Sequence, residues 1–267
     1  MTGPLRVTML GCGGSEGVPT PTGDWGHCDP ANPKNRRTRV SALVEAPDAA
    51  GVVKNILIDT APDMREQMIA SRTQRIDGVL YTHAHADHLH GIDEIRSFNR
   101  TQKCVIPAWA SAEAAADIAG RFGYIVAPWT EAPGAFFYRP ALDLRIVSSP
   151  FEAAGVPVVP FEQDHGFSKT LGYRIGNFAY STDLVGLDEP AFAVLSGLDV
   201  WILDCLRVAP PHPTHCHLEI TLALIERVRP RRTILTHMAQ AADYDALAKL
   251  LPPGVEPGYD GMMIDVG

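Results

Sequence analysis

Apolar residues in this chain fall into short blocks separated by Gly, Pro and Asp, a spacing that suits strands more often than long helices. Leu5–Leu10 is β-compatible and ends in the glycine turn Gly11–Gly14. Val40–Glu45 and Ile56–Asp59 flank a Pro/Asp/Gly segment and read as paired strands. Gly78–Thr82 is a short strand that breaks at a run of histidines, where Asp87 and His88 open a helix. Ser111–Phe122 is Ala-rich and helical. From Ile125 to about Ser181, short strands with Pro and Gly punctuation predominate. Val200–Asp204 and Thr233–Thr236 read as buried strands, and Leu218–Val228 between them has helical spacing closed by Pro230. This order predicts an α/β (α+β) chain with mixed sheets covered by helices. No linker or fixed-period repeat interrupts it, so residues 1–267 are expected to form a single domain.

A chain of 267 residues, 46% of them hydrophobic, can build a large core without a disulfide or zinc staple. Its formal net charge of -8 disfavours an extended nucleic-acid surface, although a local basic patch can still hold one phosphate. The cysteines Cys12, Cys28, Cys104, Cys205 and Cys216 are scattered and contain no CxxC pair. That pattern speaks against a disulfide framework and fits a reducing compartment. The start has no secretory pattern, and no stretch reaches the ~18 apolar residues that span a bilayer. A cytoplasmic protein without a membrane partner is expected.

The densest chemistry lies in His83-Ala84-His85-Ala86-Asp87-His88. Residues two apart in an extended segment point to one side, so His83 and His85 can approach one ion together. Imidazole and carboxylate suit zinc, manganese or iron(II), and the intervening alanines leave room for a metal. His165, Asp183 and His237 each stand at the end of an apolar run and are the candidates to complete the set. Arg36, Arg37 and Arg39 form a dense basic run, and their guanidinium groups suit bidentate capture of a substrate phosphate. Gly11, Gly13, Gly14 and Gly17 lack dinucleotide-binding spacing and read instead as a loop making a close backbone approach beside the metals.

The run His83–His88 resembles the HxHxDH signature of the metallo-β-lactamase superfamily, and His165, Asp183 and His237 match its later ligand positions. The resemblance implies a four-layered αβ/βα sandwich of two mixed sheets flanked by helices. It implies two divalent ions per chain, Zn2+ or Mn2+, one held by His83, His85 and His165 and the other by Asp87, His88 and His237, with Asp183 bridging. A water shared by two such ions ionises near neutral pH, and Asp87 would help orient it. Within the superfamily, His212-Pro213-Thr214-His215-Cys216-His217 resembles the HC motif of PhnP-type phosphodiesterases, which implies an acid/base role for His215. Leu10–Pro19, Asn35–Arg39, Asp204-Cys205 and Tyr259–Met262 are similar to the same subfamily.

One departure stands out. PhnP-type enzymes carry a structural zinc on N-terminal cysteines and a His three residues past the last catalytic His. Here the loop Gly23–Asp29 offers only His27 and Cys28, and the later position is Gln240. No structural zinc is therefore expected. The leading expectation is a phosphodiesterase acting on a small phosphorylated, cyclic-phosphate or nucleotide metabolite. The alternatives are an RNA-processing nuclease and a non-catalytic metal-containing accessory protein. Dimerisation is implied by the resemblance alone.

Overall fold

The computed structural model describes residues 5–127 and 140–267. Its strands are Leu5–Gly11 (β1), Ser41–Pro47 (β2), Val53–Ile58 (β3), Gly78–Leu80 (β4), Ile106–Ala110 (β5), Leu142–Ile146 (β6), Phe151–Ala153 (β7), Val156–Asp164 (β8), Lys169–Ile175 (β9), Phe178–Ser181 (β10), Val200–Asp204 (β11), Arg232–Thr236 (β12), Val255–Pro257 (β13) and Met263–Val266 (β14). The helices are Met64–Ser71 (α1), Ala86–Leu89 (α2), Ile95–Gln102 (α3), Ala112–Arg121 (α4), Gly123–Val126 (α5), Glu189–Val194 (α6), Leu218–Val228 (α7) and Tyr244–Ala248 (α8). The strands form two seven-stranded sheets, ordered β14-β1-β2-β3-β4-β5-β6 and β13-β12-β11-β10-β9-β8-β7. Both are mixed: β1, β2, β3 and β14 pair antiparallel, β3 through β6 parallel, β7 through β10 antiparallel, and β10 through β13 parallel.

Strands covered on both faces need apolar residues at successive positions, and these strands have them. In β3, Ile56 and Ile58 join a core between the sheets with Tyr173, Tyr180 and Ile202, while Leu57 packs outward with Met64, Met68 and Ile95. In β11, Ile202 points inward, and Trp201 and Leu203 pack outward with Ala191, Leu195 and Leu224. Helix, sheet, sheet and helix thus form the four layers of a metallo-β-lactamase sandwich. No helix among the described residues is long and apolar enough to cross a membrane.

Several elements depart from the sequence pattern. Ile125 lies in the short helix α5 instead of a strand, and β8 is nine residues long. The segment reading Ile-Pro-Ala-Trp-Ala pairs with β4 on one side and β6 on the other despite Pro107, because Ile106, Ala108 and Trp109 are all buried. Helices α1 and α3 were not expected, since only a narrow stripe of each is covered. Residues 128–139, part of the Pro/Gly-punctuated stretch, lie outside the described residues.

Gly91 secures the segment after α2. Its N–H donates to the Thr60 carbonyl at 2.9 Å, and a Cβ here would lie 2.0 Å from the Ala61 carbonyl oxygen and 2.9 Å from Met64 Cβ. Gly91→Ala should therefore cost ~1–3 kcal/mol through overpacking. A denaturant midpoint equal to that of the parent would contradict this packing.

Candidate metal centre and active site

Strand ends deliver most of the candidate ligands. His83 and His85 follow β4, His165 follows β8, Asp183 follows β10 and His237 follows β12, while Asp87 and His88 come from α2. A ligand site beyond the carboxyl ends of strands is the usual place in sheet-and-helix folds. Asp183 and His237 hold left-handed backbone, with φ of 57° each, as does Asp59 at 60°. Arg72, Lys103 and Arg229 also have positive φ, but these simply cap helices. Strained backbone at non-glycine residues concentrates where the surrounding structure must fix a side chain.

All seven residues converge. Ligand atoms of His83, His85, His165 and Asp183 lie within 4.8 Å of one another, and so do those of Asp87, His88 and His237. Asp183 stands between the groups: its Oδ1 is 3.7 Å from His83 Nε2, and its Oδ2 is 3.0 Å from His88 Nε2 and 3.5 Å from His237 Nε2. Asp87 Oδ2 is 3.4 Å from His237 Nε2. His85 is the exposed member, and the other six are buried.

The outer nitrogens of the imidazoles fix their tautomers. Asp59 is fully buried and accepts from Thr82 N–H at 2.8 Å, from the Thr82 hydroxyl at 2.7 Å and from His88 Nδ1 at 2.7 Å. Having given its proton to Asp59, the Thr82 hydroxyl accepts from His83 Nδ1 at 3.0 Å. His165 Nδ1 donates to the Thr214 carbonyl at 2.7 Å. Each of these rings therefore turns Nε2 to the centre, the atom that a metal would take in its unprotonated form. His83 Nε2 and His88 Nε2 are buried with no hydrogen-bond partner among the described residues. Orphaned nitrogens beside three or four convergent donors are what a divalent metal would satisfy, so the residues fit the group.

Electrostatics agree with that fit. Burial, and then neighbouring His88, holds His83 well below the ordinary imidazole range, and burial also lowers His165. Burial opposes charge on His88 and His237 too, but there the Asp183 carboxylate and then Asp87 outweigh it. His88 is held well above its usual value and His237 is raised to about 9. A field that keeps protons on those rings attracts a dication, which would displace them.

Asp59, Thr82 and the Thr214 carbonyl escaped the sequence reading. The one available signal was a carboxylate directly after the apolar run Ile56–Ile58. Asp59→Ala should lower metal affinity or activity about 10–100-fold by freeing the His88 ring. Competition against a chromophoric chelator would measure it, and affinity equal to the parent's would remove Asp59 from the support of the site.

His215 joins the same cluster. It is buried, its ring stacks on that of His237 at 4.5 Å, and its Nδ1 lies 3.3 Å from Asp204 Oδ2. Asp204, fully buried, also accepts from Leu184 N–H at 3.2 Å and so is fixed in place. The glycine loop makes the expected close approach. Gly14 N–H donates to the Met238 carbonyl at 3.2 Å, and a Cβ on Gly14 would lie 3.5 Å from the His237 ring.

The basic run needs correction as a phosphate-binding fork. Arg37 is 2% exposed and turned inward, donating to the Ala239 carbonyl at 3.4 Å and to Asn35 Oδ1 at 3.3 Å. Arg39 pairs with Asp63 at 2.9 Å. Arg36 alone is exposed. Three arginines so close in sequence alternate between surface and interior, which is why they do not make one patch. Arg37 braces the segment after His237, where Gln240 offers its carbonyl to His27 N–H at 2.9 Å and to the Cys28 thiol at 3.4 Å. A second carboxylate pins the same region. Asp260 accepts from Thr38 N–H and the Thr38 hydroxyl, both at 2.7 Å, and from Cys12 N–H at 3.0 Å, while burial raises its carboxyl to about 6.

This fold and donor set define a metal-binding hydrolase class, and the comparisons with known proteins say which. The chain belongs to the metallo-β-lactamase superfamily, since the model of the β-lactamase superfamily domain matches residues 54–238. Within it the chain stands close to the PhnP type: a crystal structure of a new diphosphatase from the PhnP family is 31% identical, with a TM-score of 0.88 covering 99% of this chain and 98% of that one. Zn2+-bound PqqB from Methylobacterium extorquens is 18% identical with a TM-score of 0.74, over 98% of this chain and 100% of that one, and shares the fold. A Porphyromonas gingivalis protein named octanoyltransferase is 30% identical over 261 residues. That match takes in 97% of this chain and 51% of that protein, so the chain spans about half the length of this curated relative.

Proposed function

We propose that the chain is a two-metal phosphodiesterase acting on a small phosphorylated or cyclic-phosphate metabolite, with His215 as its general acid. The observation that carries this reading is His215 itself, an imidazole that Asp204 orients and that stacks on His237 beside the ligand cluster. His83, His85 and His165 would hold one divalent ion, Zn2+ or Mn2+, and Asp87, His88 and His237 the other, with Asp183 shared. Such ions, when bound, supply a hydroxide at neutral pH and neutralise charge growing on phosphoryl oxygens. Asp87 accepts and orients the nucleophile's proton. With its Nδ1 held by Asp204, His215 delivers a proton from Nε2 to the leaving oxygen.

Support for phosphoryl chemistry comes from the PhnP-family diphosphatase, whose chain matches this one nearly end to end. The net charge of -8 favours a small substrate over a long polynucleotide. Octanoyl transfer, named for the longer relative, is not adopted. Burial pushes the thiols of Cys12, Cys28, Cys205 and Cys216 up, away from a nucleophilic thiolate.

The test is a substrate panel on metal-replete protein: bis-p-nitrophenyl phosphate, nucleoside and sugar cyclic phosphates, and precursor tRNA. Turnover of the small diesters is the expected result. Cleavage confined to precursor tRNA would put an RNA-processing nuclease in its place, and full metal loading without turnover of any ester would leave a binding protein.

A further inference from the structure

His212 stands one imidazole beyond the general acid, in a turn that is unusually well braced. Pro210, Pro211 and Pro213 surround it, and Arg207 clamps the turn by donating to the carbonyls of Pro210 at 2.8 Å and Pro211 at 3.1 Å. Pro211 and Pro213 are exposed, but His212 is half-buried. Its ring lies 5.1 Å from that of His215, whose ring in turn lies 4.5 Å from that of His237. The three imidazoles thus form a row leading outward from the candidate metal centre.

The tautomer of His212 follows from its contacts. Thr214 N–H points at His212 Nδ1 from 3.3 Å, and the Thr214 hydroxyl lies 3.2 Å from the same atom. A backbone N–H can only donate, so Nδ1 accepts, and the neutral ring carries its proton on Nε2 at the opposite edge. A rigid turn therefore presents a neutral N–H donor next to the acid. The group beyond a general acid is the leaving group, because the acid protonates the oxygen through which that group departs.

We propose that His212 is a substrate-binding residue whose Nε2–H donates to an acceptor oxygen of the leaving group, favouring leaving groups that carry such an oxygen near the departing one. This rests on the phosphodiesterase reading. The contact is made to the substrate and not to the scissile phosphoryl, so it acts on binding more than on turnover.

The experiment compares wild type, His212→Ala and His212→Gln on two substrates, a nucleoside 2′,3′-cyclic phosphate and bis-p-nitrophenyl phosphate. The first leaves as a sugar oxygen with acceptors nearby, and the second as a nitrophenolate without a sugar. His212→Ala is expected to raise KM for the cyclic phosphate about tenfold with kcat within about threefold, and to leave the nitrophenyl ester little changed. His212→Gln, whose amide restores an N–H donor, should recover part of the KM. Metal content and the pH–rate profile should match wild type in both variants. An equal effect on both substrates, an unchanged KM, or a loss of kcat with the alkaline limb of the profile would overturn the assignment. Wild type inert towards both esters would instead sink the phosphodiesterase reading, and this inference with it.

Discussion

Asp183→Asn should reduce bound divalent metal from about two ions per chain to one or none and slow turnover roughly 10³-fold or more, because the metals contribute several kcal/mol to the transition state. The reason is geometric. Asp183 Oδ1 faces His83, and Oδ2 faces both His88 and His237, so one carboxylate serves both halves of the cluster. Asn keeps the shape and replaces one oxygen with an amide NH2, which repels a cation where the carboxylate attracted it. Retention of the fold can be read separately. Wild type should lose about 5–10 °C of thermal midpoint on chelation, the value for a ligand present at about a hundredfold its Kd in a domain of this size. The variant should start lower and hardly respond to chelator. His90→Ala is a suitable control, since His90 is exposed and its ring meets that of Phe122 edge-on at 5.6 Å. Elemental analysis finding wild-type metal content in Asp183→Asn would dissolve the bridging assignment.

What was legible in advance divides along a physical line. The candidate ligands were legible because they break pattern: histidines and aspartates just beyond buried strands have no packing role, and His83, His85, Asp87, His88, His165, Asp183 and His237 do meet. Strands β1, β11 and β12 were legible as the short β-compatible runs Leu5–Leu10, Val200–Asp204 and Thr233–Thr236. Support for the ligands was not. Asp59 reaches His88 across 29 positions of sequence and Thr214 reaches His165 across 49, and no local periodicity records such contacts. Arg37 shows the opposite error. Its charge suggested an outward-facing phosphate site, whereas the fold buries the guanidinium and spends its donors on the Ala239 carbonyl and Asn35. Composition says that a charge exists, and only topology says whether partners inside can satisfy it.

His215→Ala should lower kcat about 10²–10⁴-fold while metal content stays at the wild-type level. Two further readouts separate proton donation from a general loss of structure. The defect should shrink for p-nitrophenyl leaving groups, which depart without protonation, and grow for alkoxide leaving groups, which cannot. The alkaline limb that general-acid catalysis gives a kcat profile should be absent in the variant. Asp204→Asn should give a smaller loss with metals retained, because its amide no longer accepts from His215 Nδ1 as a carboxylate does and the ring loses its orientation. The competing role for His215 is ligation: its ligand atom and those of Asp183 and His237 also lie within 4.8 Å of one another. Ligation predicts that His215→Ala loses metal along with activity, in equal measure for every leaving group. Metal analysis and the leaving-group series on one variant therefore decide between acid and ligand, because the two roles predict opposite results in both.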